Sequence, residues 1–114
     1  AELNAVDYFN IKLGKSGGIF NAIKMVKIAE AANIHLQVGC FMESRLGITA
    51  LVHFAYCSDL IVHYDLDTPL MLKEDPAVGG MIFKENGVVE IDDTPGIGAI
   101  VDEAFLRRCE RIVI

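Results

Sequence analysis

YFNIKLGKSGGIF, residues 8–20, passes from one kind of periodicity to another within a few residues. Residues 8–13 form a short apolar run typical of a buried strand. From Ile19 the pattern changes: Ile19, Ala22, Ile23, Val26 and Ala29 recur at helical spacing, with Asn21, Lys24, Lys27 and Glu30 on the other side. Between the two patterns lie Lys12, Lys15 and the pair Gly17-Gly18. The expected reading is a strand that turns tightly into a helix, with Ser16 as its N-cap and Asn33 as its stop. Two lysines end a buried strand where the helix begins, and that placement asks for a purpose.

Outward from this stretch the alternation continues. Ile34 to Val38 reads as a second strand and residues 39–44 as a loop. Leu46 to Cys57, apolar nearly all round, reads as a buried helix, and Leu60 to Tyr64 as a third strand. The order β-α-β-α-β implies a parallel sheet with right-handed crossovers. From Lys12 to Cys40 is 28 positions and from Cys40 to Asp65 is 25, so the two units are nearly equal. A barrel or a regular doubly wound sheet produces such repeats. Beyond Asp75 the character changes. Apolar runs flank Asn86-Gly87, which predicts a hairpin. Residues 92–98 read as a loop and 100–111 as a terminal helix.

Composition narrows the function. Ten basic residues against sixteen acidic give a formal charge of −6, the wrong sign for a nucleic-acid binder. No basic cluster suggests a membrane surface, and no signal-peptide pattern opens the sequence. Leu46 to Ser58 is free of formal charge but well short of the ~20 residues a membrane span needs. Cys40, Cys57 and Cys109 are odd in number and widely spaced, which fits neither a disulfide framework nor a CxxC metal site and points to a cytoplasmic setting.

In parallel α/β architectures the working groups lie at the C-terminal ends of the strands. Here those ends carry Lys12 and Lys15, then Gly39 to Glu43, then Asp65 and Asp67. The two aspartates are two residues apart and so share a side in extended chain. Such a pair attracts a metal, an ammonium or an arginine, or simply caps the next turn. Lys12, between Ile11 and Leu13, is a candidate general base and acid, or else a lysine reaching past the rim to water. GKSGG lacks the first glycine of a phosphate loop, since Phe9 stands there. Cys40 has no evident activating partner. His35, His53 and His63 read as packed histidines, Cys57 and Cys109 as core residues, and Glu43, Ser44 and Arg45 as local capping and pairing groups.

NIKLGKSGGI, VGCFMESRLGITA, DLDTPLML and DTPGIG, in this order and spacing, resemble the C-terminal part of the enolase superfamily over residues 6–99. The muconate-lactonizing subgroup is the nearest, and within it the dipeptide epimerases of the L-Ala-D/L-Glu type. The resemblance implies an isomerase with a modified (β/α)8 TIM-type barrel and a capping domain. This chain supplies the last three strands, a C-terminal hairpin and a helix. Residues 1–75 then belong to the barrel, and residues 76–114 return toward the cap.

The same resemblance assigns roles. Lys12 matches the acid/base lysine after the sixth strand. Cys40 matches a substrate contact after the seventh. Asp65 and Asp67 match the pair that binds the α-ammonium of a dipeptide after the eighth. It also implies Mg²⁺, held by residues absent from this sequence, as is the opposing lysine. The chain is therefore expected to be part of a larger enzyme, inactive alone, with the remainder of the barrel as partner and a homo-oligomeric assembly. A muconate cycloisomerase or o-succinylbenzoate synthase, and a non-catalytic half-barrel that assembles through its open strand edges, are the competing expectations.

Overall fold

Strand β1 (Tyr8–Ile11) forms the first edge of a three-stranded parallel sheet in the computed structural model, which describes residues 5–113. β2 (His35–Val38) lies in the middle and β3 (Ile61–Tyr64) on the far edge. The expected first strand ends two residues early. The carbonyl of Lys12 accepts from the amides of Lys15 and Ser16, starting a single helical turn, α1 (Leu13–Ser16). Ser16 caps no helix; its hydroxyl donates back to the Lys12 carbonyl at 2.9 Å. Gly17 and Gly18 follow at φ 76° and 94°, a reversal that side-chain-bearing residues rarely adopt. Gly18 is the N-cap of α2 (Ile19–Ala32), and Asn33 ends that helix in the left-handed region, as the sequence predicts.

Helix α2 and the next helix, α3 (Arg45–Ala55), cover one face of the sheet. Ile11, Leu36, Val38 and Ile61 are buried there against Ala22, Val26 and Ala29 of α2 and Ile48, Leu51 and Val52 of α3. Ala22, Val26 and Ala29 make one narrow stripe. Ile19 and Ile23, assigned to the same face by spacing, lie on its flank and are exposed. The opposite face of the sheet, bearing Tyr8, Asn10, His35 and His63, carries no covering layer among the described residues.

The remainder wraps the outer side of α3. β4 (Ala77–Gly79) pairs antiparallel with a distant strand, Ala99–Val101. Between them β5 (Ile82–Phe83) and β6 (Val89–Glu90) form the expected hairpin, with Asn86 and Gly87 both at positive φ in its turn. Ala99–Val101 is thus strand β7, where the sequence pattern suggested the start of a helix. The terminal helix shrinks to α4 (Glu103–Leu106), capped by Asp102 accepting from the Ala104 amide. A buried and a half-buried side chain, Thr49 and Arg45, fasten this segment to α3. Thr49 donates to the Arg45 carbonyl and accepts from the Met81 amide at 3.0 Å. Arg45 donates to the Ala77 carbonyl at 2.8 Å and stands 2.7 Å from Asp75 in a charge contact.

The class is α/β, with one parallel sheet and two small antiparallel pairs. No helix among the described residues is long and apolar enough to cross a membrane. Residues 1–4 and residue 114, the outer ends of the two expected segments, lie outside the described residues.

Candidate active site

The three parallel strands end level with one another. Ile11 pairs with Val38, and Val38 with Tyr64, so Lys12, Gly39 and Asp65 leave the sheet at one rim. Two further bonds extend the ladder there: Gly39 N–H to the Ile11 carbonyl and Asp65 N–H to the Val38 carbonyl, both at 2.9 Å. Gly39 lets the Asn10 side chain approach closely: a Cβ at that position would lie 2.5 Å from Asn10 Oδ1 and would force that side chain to shift.

At this rim the expected residues meet. Lys12 Nζ donates to the Cys40 carbonyl at 2.6 Å. The Cys40 thiol faces Asp65 Oδ1 at 3.7 Å. Cys40 Sγ and one oxygen from each of Asp65 and Asp67 lie within 4.8 Å of one another. Cys40 is buried, Asp65 half-buried and Asp67 exposed, so the acid pair opens from the interior toward solvent. An amine is on one wall and twin carboxylates on the other, with Cys40 touching both.

Burial pushes the Cys40 thiol above its usual range, polar groups of Thr68 oppose this, and the charges of Asp65 and Asp67 push it higher again. A thiol held protonated is a poor nucleophile. What Cys40 offers Lys12 is its backbone carbonyl, not its thiol. Thr68, also buried, donates to the Glu43 carbonyl at 3.2 Å and so ties the loop after β3 to the loop after β2.

Several groups depart from the sequence reading. Ser44 stands at the N-cap of α3 but makes no side-chain cap bond, and Arg45 pairs with Asp75 rather than locally. Glu43 has a buried carboxylate oxygen with no hydrogen-bond partner among the described residues. Cys57 and Cys109 are exposed, not core. The histidines join no nucleophile. His35 and His63 flank the Tyr8 ring at 5.7 and 5.2 Å on the open face, and the His53 ring meets the Ile97 carbonyl at 3.2 Å. Phe41 and Thr68 border the rim; both lie inside the quoted motifs, but no role attached to them, because their contacts exist only once the loops have folded.

The sequence matches the family model described as enolase C-terminal domain-like over residues 1–105. The chain belongs to this family. Among its relatives, the D-Ala-D/L-Ala epimerase of Cytophaga hutchinsonii is 45% identical over 113 residues, covering 99% of this chain and 31% of the relative. The L-Ala-D/L-Glu epimerase of Clostridium acetobutylicum is 39% identical over 97 residues, 85% of this chain and 27% of its own length. The crystal structure of the Cytophaga hutchinsonii dipeptide epimerase, complexed with Mg and D-Ala-L-Val, superposes with a TM-score of 0.93. It covers 97% of this chain, which spans 30% of that structure. This chain therefore spans about a third or less of the length of the enzymes, named as epimerases, that it matches.

Proposed function

We propose that this chain is the C-terminal part of a dipeptide epimerase. In this reading residues 1–75 supply the last three strands of a (β/α)8 barrel. Residues 76–114 return toward the capping domain. The open face of the sheet, with Tyr8, Asn10, His35 and His63, then becomes barrel interior once the other strands close around it. One observation carries the functional reading: Lys12 and Asp65 reach the same residue, Cys40, from opposite sides of the rim.

The chemistry follows from that juxtaposition. Asp65 and Asp67 hold the α-ammonium of the dipeptide between them. A substrate lacking that group leaves two carboxylates unpaired and is rejected for that reason. Holding the amino end fixes the distance to the C-terminal residue, whose α-hydrogen is presented to Lys12. The C–H bond breaks, its proton passes to Lys12 Nζ, and the electron pair delocalises into the neighbouring carboxylate. An opposing acid outside this chain then protonates the other face. In the reverse direction Lys12 is the acid. The Cys40 carbonyl accepts from Lys12 in either protonation state and keeps its nitrogen at the rim.

The donors present do not make a magnesium site. Mg²⁺ takes an octahedron of hard oxygen ligands, whereas this cluster offers two carboxylates and a protonated soft thiol. In the proposed enzyme Mg²⁺ would be held by residues outside this chain and would supply positive charge beside the substrate carboxylate.

The test uses the full-length protein with Mg²⁺ in D₂O and two probes, D-Ala-L-Ala and D-Ala-D-Ala. Deuterium entry at the C-terminal α-carbon is followed by NMR from each probe separately. Lys12→Ala is expected to slow entry from one epimer by about a hundredfold or more, the scale of a lost general base. Unchanged entry from both epimers rejects the assignment.

A further inference from the structure

We infer that Phe41 is a positioning residue for Lys12, holding its ammonium at the rim through the face of the aromatic ring. This rests on Lys12 being the acid/base proposed above. The observations are geometric. Lys12 Nζ stands 5.1 Å from the centre of the Phe41 ring, within the range of a cation–π contact. Lys15 Nζ stands 5.0 Å from the centre of the same ring. Phe41 directly follows the residue whose carbonyl accepts from Lys12, so two successive residues of the loop after β2 grip one side chain. The ring is 45% exposed, which makes it a rim group rather than a core one.

The two grips differ in what they hold. A carbonyl accepts from an amine or an ammonium, whereas a ring quadrupole attracts only the cation. Lysine has a flexible four-carbon stem, and each restraint removes some of its freedom to leave a productive position. Phe41 therefore acts when Lys12 carries the proton it has taken or is about to return. The second lysine of the opening stretch, Lys15, is explained by the same ring, which it shares with Lys12.

This makes a selective prediction. When Lys12 takes an α-proton, its ammonium trades protium for deuterium with solvent and returns deuterium to the same face. The C–H and N–D bonds break as the N–H and C–D bonds form. Exchange with retained configuration thus reports Lys12 alone on one epimer, and the opposing group alone on the other.

The experiment measures retained-configuration exchange from D-Ala-L-Ala and D-Ala-D-Ala in the full-length protein with Mg²⁺, for wild type, Phe41→Leu, Phe41→Met, Phe41→Trp and Lys12→Ala. Phe41→Leu is expected to lower the maximal rate on the Lys12 side by about tenfold, leaving KM and the other side nearly unchanged. Phe41→Trp restores the rate, because a larger ring still faces the cation. Phe41→Met, which keeps the volume without the ring, behaves as Phe41→Leu and serves if that variant folds poorly. Equal slowing on both sides, a rise in KM alone, or a Phe41→Trp rate as low as that of Phe41→Leu overturns the inference. If Lys12→Ala leaves both sides unchanged, the acid/base assignment itself has failed. If Lys12→Ala silences one side and Phe41→Leu does not, only the positioning role has failed.

Discussion

The two faces of the parallel sheet differ sharply. On one, Ile11, Leu36, Val38 and Ile61 lie buried under α2 and α3. On the other, Tyr8, Asn10, His35 and His63 are largely uncovered. The first face is apolar and organises the fold. The second carries rings and amides and leads up to Lys12 and the acid pair. A parallel sheet is ordinarily covered on both sides. The contrast fits the closed barrel proposed above, in which the helices lie outside and the uncovered face lies within.

The largest expected effect separates these faces by a single residue. Leu36→Ala opens a cavity on the helix-covered side and is expected to cost about 2–5 kcal/mol, read as a lower urea midpoint. His35→Ala, adjacent but on the open face, is expected to change the stability of this chain by less than about 0.5 kcal/mol. The same pair in the full-length protein sharpens the comparison. There His35 is predicted to be interior, and His35→Ala should become clearly destabilising. Equal costs for both substitutions in the 114-residue chain break the distinction.

How much of this was legible in the sequence depends on the range of the interactions. The β-α-β-α-β order was readable because each element carries its own pattern, and Asn33 marks its own stop. The rim was readable because Lys12 and Asp65 follow their strands directly and Cys40 comes one residue later, and parallel pairing brings strand ends together. Residues 99–101 were misread because their partner, Ala77–Gly79, lies some twenty residues earlier and no local pattern reveals it. Arg45 was misread for the same reason, its partner being Asp75. The turn after Lys12 was misread because a serine before glycines looks like a cap, while two left-handed glycines in a row reset the chain first. Phe41 and Thr68 have roles only in the assembled rim.

A smaller effect concerns the outer layer. Helix α3 covers the sheet with one side and is itself covered by the segment after Asp75. Thr49 is the fully buried polar link between them. Thr49→Val keeps the shape but leaves the Met81 amide without its acceptor. The expected loss is about 1–3 kcal/mol, the penalty for an unsatisfied buried donor. Hydrogen exchange resolved by residue gives a second reading: the Met81 amide loses protection, while the amides of β2 keep theirs. Equal loss at both places would mean that the outer layer and the sheet open as one unit, and the covered face would then have no separate second layer.

The smallest effect lies at the rim, where the two faces meet. The Cys40 thiol is buried and its pKa is raised above the ordinary value of 9.0. Above that pH the unfolded chain releases a proton that the folded chain retains, so the folded state binds more protons and stability falls as pH rises. Below it the two states are equally protonated at this group, and the contribution is fully present. Wild-type protein is therefore expected to lose stability more steeply above pH ~9 than Cys40→Ala does, seen as urea midpoints that converge with rising pH. Cys57, whose thiol is also pushed up by its surroundings, is present in both proteins and cancels in the difference. Parallel pH curves for the two proteins would place the Cys40 thiol in water, on the open side of the comparison, and would remove the contact that joins Lys12 to Asp65.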